Sequence, residues 1–241
     1  MEQITSRLYQ IGLGAVNVFL VEDDGLTLID TGLPGSADKL LAAIRKGGKN
    51  PADIKRIVLT HWHPDHAGNA AELQQRLGAR LYAHTAEAAI IEQGGGTERP
   101  RHLTPGLVNQ LIFSLFIKKV SSRIAPARVD ERMADGDVIP LAGGLQVVHT
   151  PGHSAGHMAL LLREEGVLVA GDICAHVAGL AYSTVYEDIA VGRQSILKAA
   201  GLPFDQAVFG HGGPLRSRAN EKLNAKFRRP LPTSAAPLKA V

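Results

Sequence analysis

Thr60-His61-Trp62-His63-Pro64-Asp65-His66-Ala67-Gly68-Asn69 places three imidazoles and a carboxylate within the six residues from His61 to His66. Neutral imidazole and carboxylate are the ligands that zinc and similar borderline metals take. The stretch follows Arg56 to Thr60, a short β-branched run that reads as a buried strand. It precedes Ala67 to Leu77, which reads as a helix stopping at Gly78. Alternate residues of an extended chain share a side, so His61 and His63 point the same way. Pro64 forces a turn, after which Asp65 and His66 point back from the start of the helix. A histidine-rich surface loop, in a chain with 10 histidines, is the competing reading. It does not account for the placement between a strand end and a helix, where open sheets put their ligand sites.

Upstream of this stretch, Leu8 to Ile11, Asn17 to Glu22 and Leu26 to Asp30 read as short strands, the last two joined by a turn at Asp23-Asp24-Gly25. A helix is predicted from Ser36 to Lys46, ended by Gly47-Gly48. Downstream, Ala79 to Ala83 reads as a strand and Thr85 to Glu92 as a helix. A second series of strands follows at Arg128 to Met133, Leu145 to His149, Met158 to Leu162 and Val167 to Ala170. A helix at Arg193 to Ala200, a strand at Gln206 to Phe209 and a helix at Ser217 to Phe227 close the series. The strands fall in two groups separated near Asp137 to Pro140. Two sheets packed face to face with helices outside fit this order, although periodicity alone leaves the arrangement open.

Four further stretches extend the pattern: Leu28-Ile29-Asp30-Thr31-Gly32, Thr150-Pro151-Gly152-His153-Ser154-Ala155-Gly156-His157, Ala170-Gly171-Asp172 and Gly210-His211-Gly212-Gly213-Pro214. With His-x-His-x-Asp-His after a strand, their order resembles the signature of the metallo-β-lactamase superfamily over about residues 4 to 215. The resemblance implies an α/β fold, the αβ/βα sandwich of two mixed sheets with helices outside. It also implies a two-metal site in which His61, His63 and His153 hold one ion, Asp65, His66 and His211 hold the other, and Asp172 bridges them. Five imidazoles and two carboxylates suit two such sites with room for water. Two cations could share a hydroxide and polarise a substrate carbonyl or phosphoryl oxygen, with no Ser or Cys nucleophile. Zinc is the expected metal, with Mn or Fe as alternatives, and Asp65 is also a candidate to pass a proton to the leaving group.

Around these residues, Asp30 is expected to hydrogen-bond a ligand imidazole, and His157 either lines the site or caps a strand. Trp62, Phe113, Phe116 and Tyr182 are candidates for a substrate pocket, Trp62 alternatively being a core anchor. His149 reads as a core histidine, His84 as a helix start and Cys174 as a small core residue. The likeness implies a small hydrolase of an ester, lactone or thioester. A phosphodiesterase or nuclease on the same metals is the alternative, and a metal-retaining binding protein without turnover is a third reading. β-Lactamases with two zincs that carry Cys where this chain has Asp172 argue against antibiotic hydrolysis. Only residues 212–241 follow His211, too few for the glutathione-gripping helical region of glyoxalase II.

The bulk properties agree with a globular enzyme. The 241 residues are 45% hydrophobic and 20% charged, enough for a sizeable core. Residues 1–229 are expected to form one domain, and 230–241 a tail without fixed structure. The formal net charge of +3 comes largely from basic residues after Arg216, with Phe227 as the aromatic among them, so a nucleic-acid surface is not expected. With the lone Cys174 no intrachain disulfide can form, and no signal peptide or membrane span is read, so a cytoplasmic location is expected. A small-molecule substrate is the expected partner.

Leu107 to Val120 is the segment least explained by the metal site. Leu107, Val108, Leu111, Ile112, Leu115 and Phe116 recur at helical spacing and predict one buried stripe, which Phe113, Ile117 and Val120 widen. Packing into the core, an acyl pocket or lid hinged at Gly94–Gly96, Pro100 and Pro105, and a homodimer contact are the three readings.

Overall fold

The computed structural model describes residues 1–96 and 101–229, and the backbone of 237–238. Arg99, Pro100 and most of the tail expected at 230–241 lie outside the described residues. Two sheets carry the fold. The larger runs Glu2–Gln3, Leu8–Gly12, Asn17–Asp23, Gly25–Ile29, Ile54–Val58, Arg80–His84, Glu131–Met133. The smaller runs Gln206–Val208, Val167–Val169, Met158–Leu162, Leu145–His149, Val138–Ile139. The chain crosses between sheets after Met133, close to the division read from the sequence. Both sheets are mixed. In the larger, Gly25–Ile29, Ile54–Val58, Arg80–His84 and Glu131–Met133 pair in parallel, whereas the N-terminal strands pair antiparallel. In the smaller, Val167–Val169 pairs in parallel with Gln206–Val208 and antiparallel with Met158–Leu162.

Alternation along the strands builds three apolar layers. Phe19, Val21, Ile29 and Val58 meet Leu145, Val147, Leu160 and Val169 between the sheets. Their neighbours Val18, Leu20, Leu28 and Ile57 face outward onto Leu40, Leu41 and Ile44 of the helix Ala37–Lys46 and Leu73 of Ala70–Leu77. On the far side, Val148, Ala159, Leu161 and Leu168 meet Ile196 and Ala199 of Ile189–Ala200 and Leu223 and Phe227 of Ala219–Phe227. Successive strand residues point to opposite faces, so near-continuous apolar runs such as Met158–Leu162 mark strands covered on both sides. This is the αβ/βα sandwich.

Two expectations require correction. The helix predicted over Ala67 to Leu77 is two helices, Pro64–Ala67 and Ala70–Leu77, so Asp65 and His66 sit inside the first. The break falls where Asn69 turns its side-chain amide onto Thr31 O and Leu33 O, at 2.6 and 2.7 Å. The stripe predicted as buried in Leu107 to Val120 is not buried. An α-helix Leu107–Ile112 continues as a π-turn Phe113–Ile117 with no buried residue in either, and Phe116 is 66% exposed. Helical spacing reports that a face is apolar, not that something covers it. This excursion is tied at its ends instead, through Thr104 N to Thr184 O and a bridge between Gly95 and Arg123. The short strand Arg101–Leu103 pairs with Val185–Tyr186 on one side and Pro237–Leu238 on the other. Among the described residues, no helix is long and apolar enough to cross a membrane.

Candidate active site

Five loops leave strand ends at one edge of the sandwich. Asp30 follows Gly25–Ile29 and His61 to His66 follow Ile54–Val58. His153 and His157 lie between Leu145–His149 and Met158–Leu162, Asp172 follows Val167–Val169, and His211 follows Gln206–Val208. Backbone bonds tie the loops together: Asp30 N to Val58 O, Met158 N to Thr60 O and Gly210 N to Gly171 O, each at 2.9 Å.

Among the described residues, three trios of side chains bring ligand atoms within 4.8 Å of one another: His61, His63 and His153; Asp65, His66 and His211; and His61, His66 and Asp172. Asp172 stands between the first two trios. Its Oδ1 is 3.6 Å from His66 Nε2, and its Oδ2 is 3.6 Å from His153 Nε2 and 3.1 Å from His211 Nε2. Asp65 Oδ2 is 3.3 Å from His211 Nε2. The structure therefore gathers all seven expected ligand positions.

Four of the five rings are aimed by a bond on their far side, whereas His63 Nδ1 meets His153 Nε2 at 2.9 Å within the cluster. His66 Nδ1 donates to Asp30 Oδ2 at 2.9 Å, His153 Nδ1 to Val185 O at 2.9 Å and His211 Nδ1 to Ala15 O at 2.7 Å. Thr60 Oγ1 gives its proton to Asp30 Oδ2 at 2.8 Å and so accepts from His61 Nδ1 at 3.0 Å. A histidine that donates from Nδ1 turns its Nε2 toward the cluster, where it presents a lone pair when the ring is neutral and a proton when the ring is charged. Asp30 reaches this position with φ at 62°, a left-handed backbone that few non-glycine residues adopt, Asp more readily than most. His157 does a different job. Its Nδ1 meets Thr150 Oγ1 at 2.8 Å and its Nε2 accepts from Asp172 N at 2.9 Å, so it holds the Asp172 backbone and offers no free nitrogen.

The donor set fits cations. His61 Nε2, His66 Nε2 and Asp172 Oδ1 are buried with no hydrogen-bond partner, and each such orphan costs about 1–3 kcal/mol. Three facing one another match what a metal would satisfy. The space over them depends on Gly210, where a Cβ would run into Asp172 Oδ1 and His66.

Charge divides the site in two. Burial holds His61 well below the ordinary histidine pKa, with further lowering from the neighbouring imidazoles, and burial also lowers His153. Burial opposes charge on His66 and His211 as well. There the carboxylates of Asp172 and Asp65 outweigh it and push both well above the ordinary value. Asp172 answers in the opposite sense: burial raises it, but His211 and His66 hold it well below the usual carboxylate range. Burial pushes the Cys174 thiol far up, so no thiolate is present. Cys174→Ser is therefore expected to keep its metals and its hydrolysis. Loss of turnover with the metal content intact, read by elemental analysis beside a kinetic assay, would count against a water nucleophile.

The pocket candidates scatter. Trp62 is buried in the layer under the first helices, 4.9 Å ring to ring from His63. Tyr182 packs on Phe227 at 4.8 Å in the opposite layer. Phe113 and Phe116 stand on the uncovered helix. His149 stacks on His84 at 4.0 Å, and His84 caps the helix Thr85–Glu92 by accepting from Ala86 N.

Sequence reasoning missed Asn17 and Glu87. Asn17 Nδ2 donates to Phe209 O and Gly212 O at 2.9 and 2.7 Å and so frames the His211 loop. In the sequence it is the polar first residue of a strand. Glu87 reads as an acidic residue in the first turn of a helix, an ordinary partner of the helix dipole. Only its burial marks it.

The sequence pattern of the metallo-beta-lactamase superfamily matches residues 11–211. Among curated proteins, the probable metallo-hydrolase YflN of Bacillus subtilis (strain 168) is 27% identical over 224 residues, covering 84% of this chain and 82% of that protein. The thioesterase pkgB of Emericella nidulans is 28% identical over 208 residues, covering 86% of this chain and 46% of that protein. A metallo-beta-lactamase family protein of Thermus thermophilus has a similar structure, with a TM-score of 0.69 at 28% identity over 94% of this chain and 81% of that one.

Proposed function

From the premise that the chain belongs to the metallo-beta-lactamase superfamily and is a metal-dependent hydrolase, we propose that it cleaves an ester, lactone or thioester with two metal ions. The observation that carries this reading is the place of Asp172, with one carboxylate oxygen toward His66 and the other toward His153 and His211. His61, His63 and His153 would hold one ion, Asp65, His66 and His211 the other, and Asp172 both. Divalent ions held there, zinc by ligand preference, would supply a nucleophile from water at neutral pH and an electrophilic pull on the carbonyl oxygen.

The side chains do the rest. Asp30, Thr60, Val185 O and Ala15 O fix the imidazole orientations. The Asp65 side chain is 33% exposed where that of Asp172 is 6%, so Asp65 is the carboxylate open to substrate. Its Oδ2 faces His66 and His211, and Asp65 is the residue that would pass a proton to the leaving group. The thioesterase relative supports a carbonyl substrate. So does the apolar helix Leu107–Ile112, whose Asn109 meets Thr184, the residue before the Val185 carbonyl that aims His153.

Metal-loaded protein assayed against lactones, thioesters, aryl esters and phosphodiesters tests the reading: carbonyl substrates should turn over with two metals per chain. Turnover of phosphodiesters alone would overturn the substrate class, and one metal in the fully loaded chain would overturn the two-metal mechanism. If the apolar helix receives an acyl chain, Phe116→Ala should lower kcat/KM on long-chain substrates by about tenfold, for roughly 1.4 kcal/mol of lost apolar contact. Short-chain substrates and the melting temperature should be little changed, since Phe116 is exposed. Equal loss on every chain length would rule the contact out.

A further inference from the structure

Glu87 is a carboxylate in a place where carboxylates are rarely found. It is 2% exposed, on the first turn of the helix Thr85–Glu92. Its two oxygens are divided between the two segments that carry the first histidine trio. Oε2 accepts from Trp62 N, between His61 and His63, at 2.9 Å. Oε1 accepts from Ser154 Oγ at 2.8 Å and Gly156 N at 2.7 Å, just after His153. The approach is close enough to exclude a side chain at Gly156: a Cβ there would lie 2.6 Å from Glu87 Cγ and 3.0 Å from Glu87 N. The same helix end grips the loop a second time, through His84 stacked on His149, whose Nε2 meets Ala155 O at 3.0 Å.

We propose that Glu87 is a positioning residue that sets the spacing between the His61–His63 segment and the His153 loop and so tunes metal affinity in that half of the site. The proposal rests on the metal reading above. His63, His153 and His61 must converge on one ion from two separate loops, which the backbone joins only through Met158 N to Thr60 O, while the His63 and His153 rings meet at 2.9 Å. A carboxylate that accepts from both loops fixes that distance without touching a ligand. A neutral amide cannot replace it, because its nitrogen would confront a backbone N–H on one side or the other. Outer partners of this kind typically carry about 10–100-fold in metal affinity.

The test is Zn2+ titration against a chromophoric chelator, with each half of the site assayed alone. His211→Ala leaves the first trio and His63→Ala leaves the second. Adding Glu87→Gln should weaken Zn2+ binding about 10–100-fold in the His211→Ala background and leave it within a few-fold in the His63→Ala background. Unchanged affinity in the first background, or equal loss in both, would overturn the proposal. Absence of Zn2+ binding by the unaltered chain would instead overturn the metal reading itself. If Glu87→Gln does not fold, Ser154→Ala carries the same comparison, since it removes one of the three bonds and leaves the carboxylate in place. A selective loss there supports the proposal, and none overturns it.

Discussion

Asp172→Ala is expected to abolish hydrolysis and to weaken metal binding in both halves of the site. The expected fall in kcat/KM is on the order of 10³-fold or more, beyond the 10–100-fold typical of an outer partner. Asp172 is 4% exposed, and its two oxygens face imidazoles from three loops, so its removal takes the shared negative charge from both trios at once. The backbone here is held independently, by Asp172 N on His157 Nε2 and Ser183 Oγ on Asp172 O, so the loop itself should survive the change. The measurements are a melting curve, the metal content and the rate. A folded variant that keeps two metals and hydrolyses normally would remove Asp172 from the mechanism.

The second large effect is the pH dependence of metal loading, and it should differ between the two trios. Burial holds His61 and His153 below the ordinary histidine pKa, so near neutrality both rings are already neutral and have no second proton for a metal to displace. His66 and His211 lie well above it because Asp172 and Asp65 outweigh their burial, so they carry protons that a metal must displace. A displaced proton makes binding weaker as pH falls, by at most about tenfold per pH unit for each proton. A first cation would itself draw some of those protons off, so the observed slope should be smaller. Loading of the Asp65, His66 and His211 trio should therefore weaken steeply as pH falls, with protons released to buffer. Loading of the His61, His63 and His153 trio should fall less steeply, because His61 and His153 have no second proton to displace. Calorimetric titration in buffers of different ionisation enthalpy measures both. Equal slopes for the two steps would contradict this division of charge.

The convergence of the first histidine cluster was legible because it is local. His61, His63, Asp65 and His66 lie within one strand end and one turn, so spacing alone implies convergence. His153, Asp172 and His211 were legible only through likeness to a family, because nothing in their spacing says which loops share an edge. The helix from Leu107 shows the opposite case: its period was plain, yet whether that face is covered depends on neighbours far away in sequence.

By itself, then, the sequence determined the strands, the apolar layers they imply and the histidine-rich turn, since period and turn chemistry act over a few residues. The tertiary structure decided which of several histidines meet, because that depends on strand order across two sheets. It also decided what Glu87 does. A glutamate in a helix's first turn is ordinary in one dimension. It becomes a link between two loops only when the fold buries it against Trp62 N, Ser154 and Gly156 N, where an ionised group can stay only if it is fully hydrogen-bonded.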